Sequence, residues 1–127
     1  MNNPVLSNVK TTFIYMINYN NKVFKPVSNT ENGETSSETI FHYQQNKNIL
    51  TATYSGGKIK SGHLIGLVDE AGHLDIRYHQ VNNNDELMTG ICHSVPEVLP
   101  NGKIRLYETW KWTSGDQSQG TSVIEEV

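Results

Sequence analysis

From residue 21 onward the chain is broken by turn signals so often that no interval between them can hold a crossover helix. Gln45-Asn46-Lys47-Asn48 is a polar turn, and Gly56-Gly57 tolerates positive φ. Asp69-Glu70-Ala71-Gly72 reads as a type I turn closed by glycine, and Asn101-Gly102 is the strongest two-residue hairpin signal. Asn82-Asn83-Asn84-Asp85 and Ser114-Gly115-Asp116-Gln117 complete the set. Turns spaced roughly 8–12 residues apart belong to sandwiches and barrels. The runs between them predict strands over Lys22–Ser28, Thr39–Gln45, Ile49–Ser55, Ile59–Val68, His73–Val81, Glu86–Pro96, Lys103–Thr113 and Gly120–Glu126. Without crossover helices, consecutive strands pair antiparallel. Eight such strands expose two sheet edges unless the sheet closes, so the predicted fold is an all-β, antiparallel up-and-down barrel. A two-sheet β-sandwich is the alternative. Gly62-His63-Leu64 and Gly72-His73-Leu74 share hairpin wording without making a repeat architecture.

Composition agrees. Hydrophobic residues are 35% and charged residues 18% of the 127, with 10 glycines, which suits short strands and turns. That length predicts one barrel domain over 21–127, preceded by residues 1–20 as an extension, a first strand or a plug. Phe13-Ile14-Tyr15-Met16-Ile17 is apolar within polar sequence, and Met16 is a candidate native start. A net charge of −3 gives no basic footprint, so no nucleic-acid partner is expected. No apolar run approaches the roughly 20 residues of a membrane span, and the start lacks the pattern of a signal peptide. The single cysteine, Cys92, cannot form an internal disulfide, which fits a reducing compartment and a cytoplasmic location.

The strand after Asn101-Gly102 carries the functional argument. At a two-residue period Ile104, Leu106, Glu108, Trp110 and Trp112 share one face, and Arg105, Tyr107, Thr109 and Lys111 share the other. The first face is the buried one, and Glu108 is a carboxylate on it. A buried carboxylate needs donors or a proton. The same parity puts Leu74, Ile76, Tyr78 and Gln80 inward on their strand, and opposes Ser122 and Ile124 to Thr121, Val123 and Glu125 on the last. Gly62 and Gly66 share a face with Leu64 and Val68, leaving room for an indole of Trp110 or Trp112, or for a ligand.

An eight-stranded barrel either fills with side chains or holds one small molecule. A lining of Trp, Tyr, Gln and Glu among aliphatics is what a small-molecule pocket needs. The predicted site is therefore Glu108, Tyr78 and Gln80 converging on a polar ligand group stacked against Trp110 or Trp112. The plainer expectation is that Tyr78 and a Trp indole donate to Glu108 in a closed core network. If the protein is an enzyme, Glu108 is its general acid or base. If the barrel is fully packed, outward Tyr107 and the Phe13–Ile17 segment would serve homo-oligomerisation. No metal or cofactor is expected, because His42, His63, His73, His79 and His93 lack a ligand spacing. Cys92 and His93 point to opposite faces, so Cys92 reads as an inert buried thiol. The Ser118-Gln119-Gly120 stretch is turn chemistry rather than a phosphate loop.

Several words of the chain resemble a family. Ser55-Gly56-Gly57-Lys58-Ile59-Lys60-Ser61-Gly62-His63-Leu64-Ile65-Gly66, Tyr78-His79-Gln80, Asn101 through Trp112 and Ser122-Val123-Ile124-Glu125-Glu126 are similar to small bacterial proteins commonly labelled N-acetylglutamate synthase. The resemblance covers about Ile17 to Val127 and implies that activity without supplying catalytic residues. The familiar acetyltransferase turn, glycine-rich and leading into a helix, has no counterpart among the motifs. In architecture the chain resembles the calycin-type barrels of the lipocalin, fatty-acid-binding and avidin group, a likeness of fold that does not by itself establish a ligand.

Overall fold

The computed structural model describes residues 17–127. Eight strands follow one another: β1 (Lys22–Asn29), β2 (Ile40–Asn46), β3 (Ile49–Gly56), β4 (Ile59–Val68), β5 (Leu74–Asn82), β6 (Leu87–Val98), β7 (Ile104–Trp112) and β8 (Gln119–Glu126). Each pairs antiparallel with the next, and β1 pairs with β8, so the sheet is a closed barrel and the sandwich is excluded. The strands match the expected ones to within a residue or two at each end. Closure leaves no free edge, which is the problem an eight-strand meander must solve. Pro26, which has no N–H to donate, lies where β1 shifts register against β8.

The barrel has two unlike ends. One carries the β2–β3, β4–β5 and β6–β7 turns and is stoppered by Tyr19. The Tyr19 ring packs 6.4 Å from Phe24 and 6.2 Å from Tyr43, and its hydroxyl donates to the Gly72 carbonyl at 2.6 Å. Leu50, Leu74, Leu106 and Ile124 fill the adjoining half of the interior. The other end, the mouth, carries the turns after β3, β5 and β7 and the longer β1–β2 loop at 30–39. Residues 1–16, with most of Phe13–Ile17 and the candidate start Met16, lie outside the described residues.

The expectation about Gly62 and Gly66 needs correcting. The space opposite Gly62 is occupied by the Tyr54 ring and that opposite Gly66 by Ile76, not by Trp110, Trp112 or a void. Trp110 instead lies over Gly120, its partner on β8, and Tyr78 lies over Gly90, its partner on β6. Tyr54 and Gly62 are likewise cross-strand partners. Three inward aromatics thus each lie across a glycine of the neighbouring strand. A β-carbon at any of these positions would overlap the ring. The rings therefore lie along the wall instead of projecting across the barrel.

Candidate functional site

Between mid-barrel and the mouth lies a cavity of about 60 Å³. Glu108, Tyr78, Gln80, Trp110 and Trp112, the five residues picked out by strand parity, all line it. So do Phe41, Tyr54, Cys92 and Ser122 from the strands, Asn29 from the end of β1, and Gly33, Glu34 and Thr35 from the mouth loop.

Glu108 forms the deep polar point of the wall. Its register partners are Ser94 on β6 and Ser122 on β8. Directly opposed residues of neighbouring strands share a face, so both hydroxyls meet the carboxylate. Ser122 Oγ donates to Oε1 at 2.8 Å, Ser94 Oγ donates to Oε2 at 3.2 Å, and the Cys92 thiol points at Oε2 from 3.8 Å. What remains of Glu108's accessible surface faces the cavity, so the carboxyl is removed from bulk water although the residue is not fully covered. Burial pushes its pKa up from 4.5 to about 7, and the two serine hydroxyls and the thiol pull the other way without cancelling the rise. The expected core network is thus real but made by other donors: neither Tyr78 nor a Trp indole donates to Glu108. The Cys92 thiol is pushed up by burial and by the neighbouring Glu108 carboxylate, which makes it a poor nucleophile at neutral pH.

Gln80 does not converge with Glu108 either. It sits nearer the mouth, accepts from the Tyr54 hydroxyl at 2.8 Å and donates through Nε2 to Glu34 Oε1 at 2.8 Å. The second Glu34 oxygen accepts from Asn82 Nδ2 at 2.7 Å, and the same nitrogen donates to Glu86 Oε1 at 2.9 Å. Trp112 Nε1 donates to the Asn32 carbonyl at 3.0 Å. Asn32 in turn holds Ser118 Oγ at 3.0 Å and the Gln119 carbonyl at 2.9 Å. The mouth loop is therefore tied down across the barrel end by side chains of β5, β7 and the β7–β8 turn.

Aromatic rings make the walls. Trp110 and Trp112 meet edge to face at 5.6 Å, Tyr78 meets Trp112 at 5.7 Å, and Phe41 stacks on Tyr54 at 4.7 Å. Burial raises the Tyr43, Tyr54 and Tyr78 hydroxyls above their ordinary value, so all three stay protonated at neutral pH. Two enclosed oxygens, Asn29 Oδ1 and the Tyr43 hydroxyl, have no hydrogen-bond partner among the described residues. Among the described residues no group of three His, Cys, Asp or Glu side chains is arranged to hold a metal ion. The histidines lie on the barrel's outside, where His63 faces His79 and His73 faces His93 at 5.7 and 5.6 Å.

Eight antiparallel strands closed on themselves, with a cavity under the mouth loops, narrow the choice of family. The model of the avidin-like protein family matches residues 17–127. The chain belongs to the avidin-like family. No curated protein and no solved structure is similar enough to match. The match spans all eight strands of this avidin-like barrel and begins two residues before Tyr19, the stopper of its closed end.

Sequence reasoning missed Glu34 because a loop residue carries no parity signal, and Asn29 and Asn82 because the expected strands stop one residue short of them, at Ser28 and Val81. One clue was available: the 30–39 interval is longer than the two to five or so residues a simple hairpin needs. Phe41 and Tyr54 could have been found by the alternation that found Tyr78.

Proposed function

We propose that this avidin-like protein binds a small molecule in the cavity between Glu108 and the mouth loop. The observation that carries the reading is the unfilled space itself, walled by aromatic rings and bounded by a few placed polar groups. A barrel selected only for stability would fill that space, since interiors pack at the density of organic crystals. Family membership supports a small-molecule ligand in general. About 60 Å³ corresponds to on the order of four water-sized positions, which suits a ligand, or the buried part of one, of a few heavy atoms. The N-acetylglutamate synthase activity implied by resemblance would need room for an acyl carrier as well, and the binder reading is preferred for that reason.

Both tryptophans of the chain line the cavity, so their fluorescence reports on it directly. Screening a compound library that includes biotin by tryptophan fluorescence and thermal shift tests the reading. Saturable binding that the Trp112→Phe variant weakens supports it. Crystals soaked with the library that never show more than water in the cavity would refute it.

A second reading has one observation in its favour. With its pKa near 7 and its surface on the cavity, Glu108 has the properties of a general acid or base. Conversion of a bound ligand over time, lost in Glu108→Gln, would establish it.

A further inference from the structure

The charge of the cavity wall singles out one class of ligand. Among the described residues the wall holds two carboxylates, Glu108 at depth and Glu34 at the mouth, and no Lys, Arg or His. Neither carboxylate is part of an ion pair among the described residues; serines and a thiol serve Glu108, and two amides serve Glu34. Glu86, bridged to Glu34 through Asn82 Nδ2, adds a third carboxylate at the rim. Between these charges the wall is aromatic, and ring faces attract cations.

We propose that the cavity takes a small organic cation bearing N–H donors, of the ammonium or guanidinium type. The inference rests on the cavity being a binding site. Three independent features converge on it. Glu34 at the half-buried mouth and Glu108 in its ionised form both repel an anion, and a neutral ligand leaves that charge without a counterpart. The aromatic rings supply the face contacts a desolvated cation needs. Asn29 adds an acceptor: its Nδ2 donates to the Thr35 carbonyl and hydroxyl, which fixes the amide orientation, and its enclosed Oδ1 meets no donor among the described residues. A ligand N–H would satisfy that oxygen, whose isolation is otherwise unfavourable. The mouth carboxylates would also draw cations toward the opening.

The size of the cavity sets the probes. Methylguanidinium and methylurea have nearly the same shape and differ in charge, and acetate carries the opposite charge. Each is titrated into the protein at pH 8, where Glu108 is ionised, at constant ionic strength, and followed by tryptophan fluorescence. Methylguanidinium is expected to bind at least about tenfold more tightly than methylurea, a difference of about one hydrogen-bonded charge contact, and acetate not to bind. Glu108→Gln, an uncharged near-isostere, is expected to remove most of the preference. Glu34→Gln is expected to remove a smaller part and serves as the test if Glu108→Gln fails to fold. Methylurea binding as tightly as methylguanidinium would overturn the cation inference and leave the small-molecule reading standing. Saturation by none of the three, with no fluorescence response to any library compound, would overturn both.

Discussion

Ser122 Oγ donates a 2.8 Å hydrogen bond to Glu108 Oε1, its cross-strand partner in the β7–β8 register. That contact holds one carboxyl oxygen, while Ser94 and Cys92 meet the other, so the carboxyl of this cavity-lining residue is held from both neighbouring strands. Replacing Ser122 by alanine removes a donor to the ionised form. The Glu108 pKa is then expected to move above 7, as read by NMR titration of the carboxyl carbon. Urea denaturation at pH 8, where the carboxylate is charged, should show a loss of about 1–2 kcal/mol, and less at pH 5.

Glu108 also sets a pH dependence of stability with an unusual sign. Its folded-state pKa of about 7 lies above the 4.5 of an ordinary glutamate, so the native state keeps a proton that the unfolded chain has lost. The stabilisation this provides is complete below pH 4.5, falls as pH rises toward 7, and is gone above it. Linkage puts the loss at up to about 3 kcal/mol. Denaturation midpoints measured from pH 5 to pH 8 should decline in the wild-type protein and stay flatter in Glu108→Gln.

The Gly90–Tyr78 pair predicts a variant that keeps the fold and loses the cavity. A β-carbon at residue 90 overlaps the Tyr78 ring, so Gly90→Ala is expected to push that ring inward. Overpacking of this kind costs about 1–3 kcal/mol. A crystal structure should show the space reduced, and binding of any cavity ligand should weaken more than the melting temperature falls.

Glu34 holds the mouth loop by accepting from Gln80 and Asn82. In Glu34→Ala both amides lose a charged partner, and hydrogen exchange at residues 31–36 should accelerate while the strands keep their protection. The exchange pattern decides: uniform acceleration across β5 and β6 would mean that Glu34 supports the barrel rather than the loop.

The barrel and five of its cavity residues were legible in the chain because both follow from short-range rules. Turn chemistry at Gly56-Gly57 and Asn101-Gly102 placed the strand ends, and alternation along β5 and β7 told inward from outward. Glu108's actual donors were not legible. Ser94 and Ser122 lie on other strands, and only the register of pairing brings them to the carboxylate. Gln80 was placed on the correct face, but its partner is Glu34 in a loop, where no periodicity indicates direction. Alternation gives the face of a side chain and says nothing of its depth along the barrel, which is why Gln80 and Glu108 were expected to meet.

The three glycines beneath Tyr54, Tyr78 and Trp110 give the cavity a particular kind of adjustability. Its width depends on atoms that three backbone positions lack, so single methyl groups added at residues 62, 90 or 120 would narrow it one wall at a time. The size of the cavity can therefore be retuned from behind the rings, with every side chain that lines it left chemically unchanged.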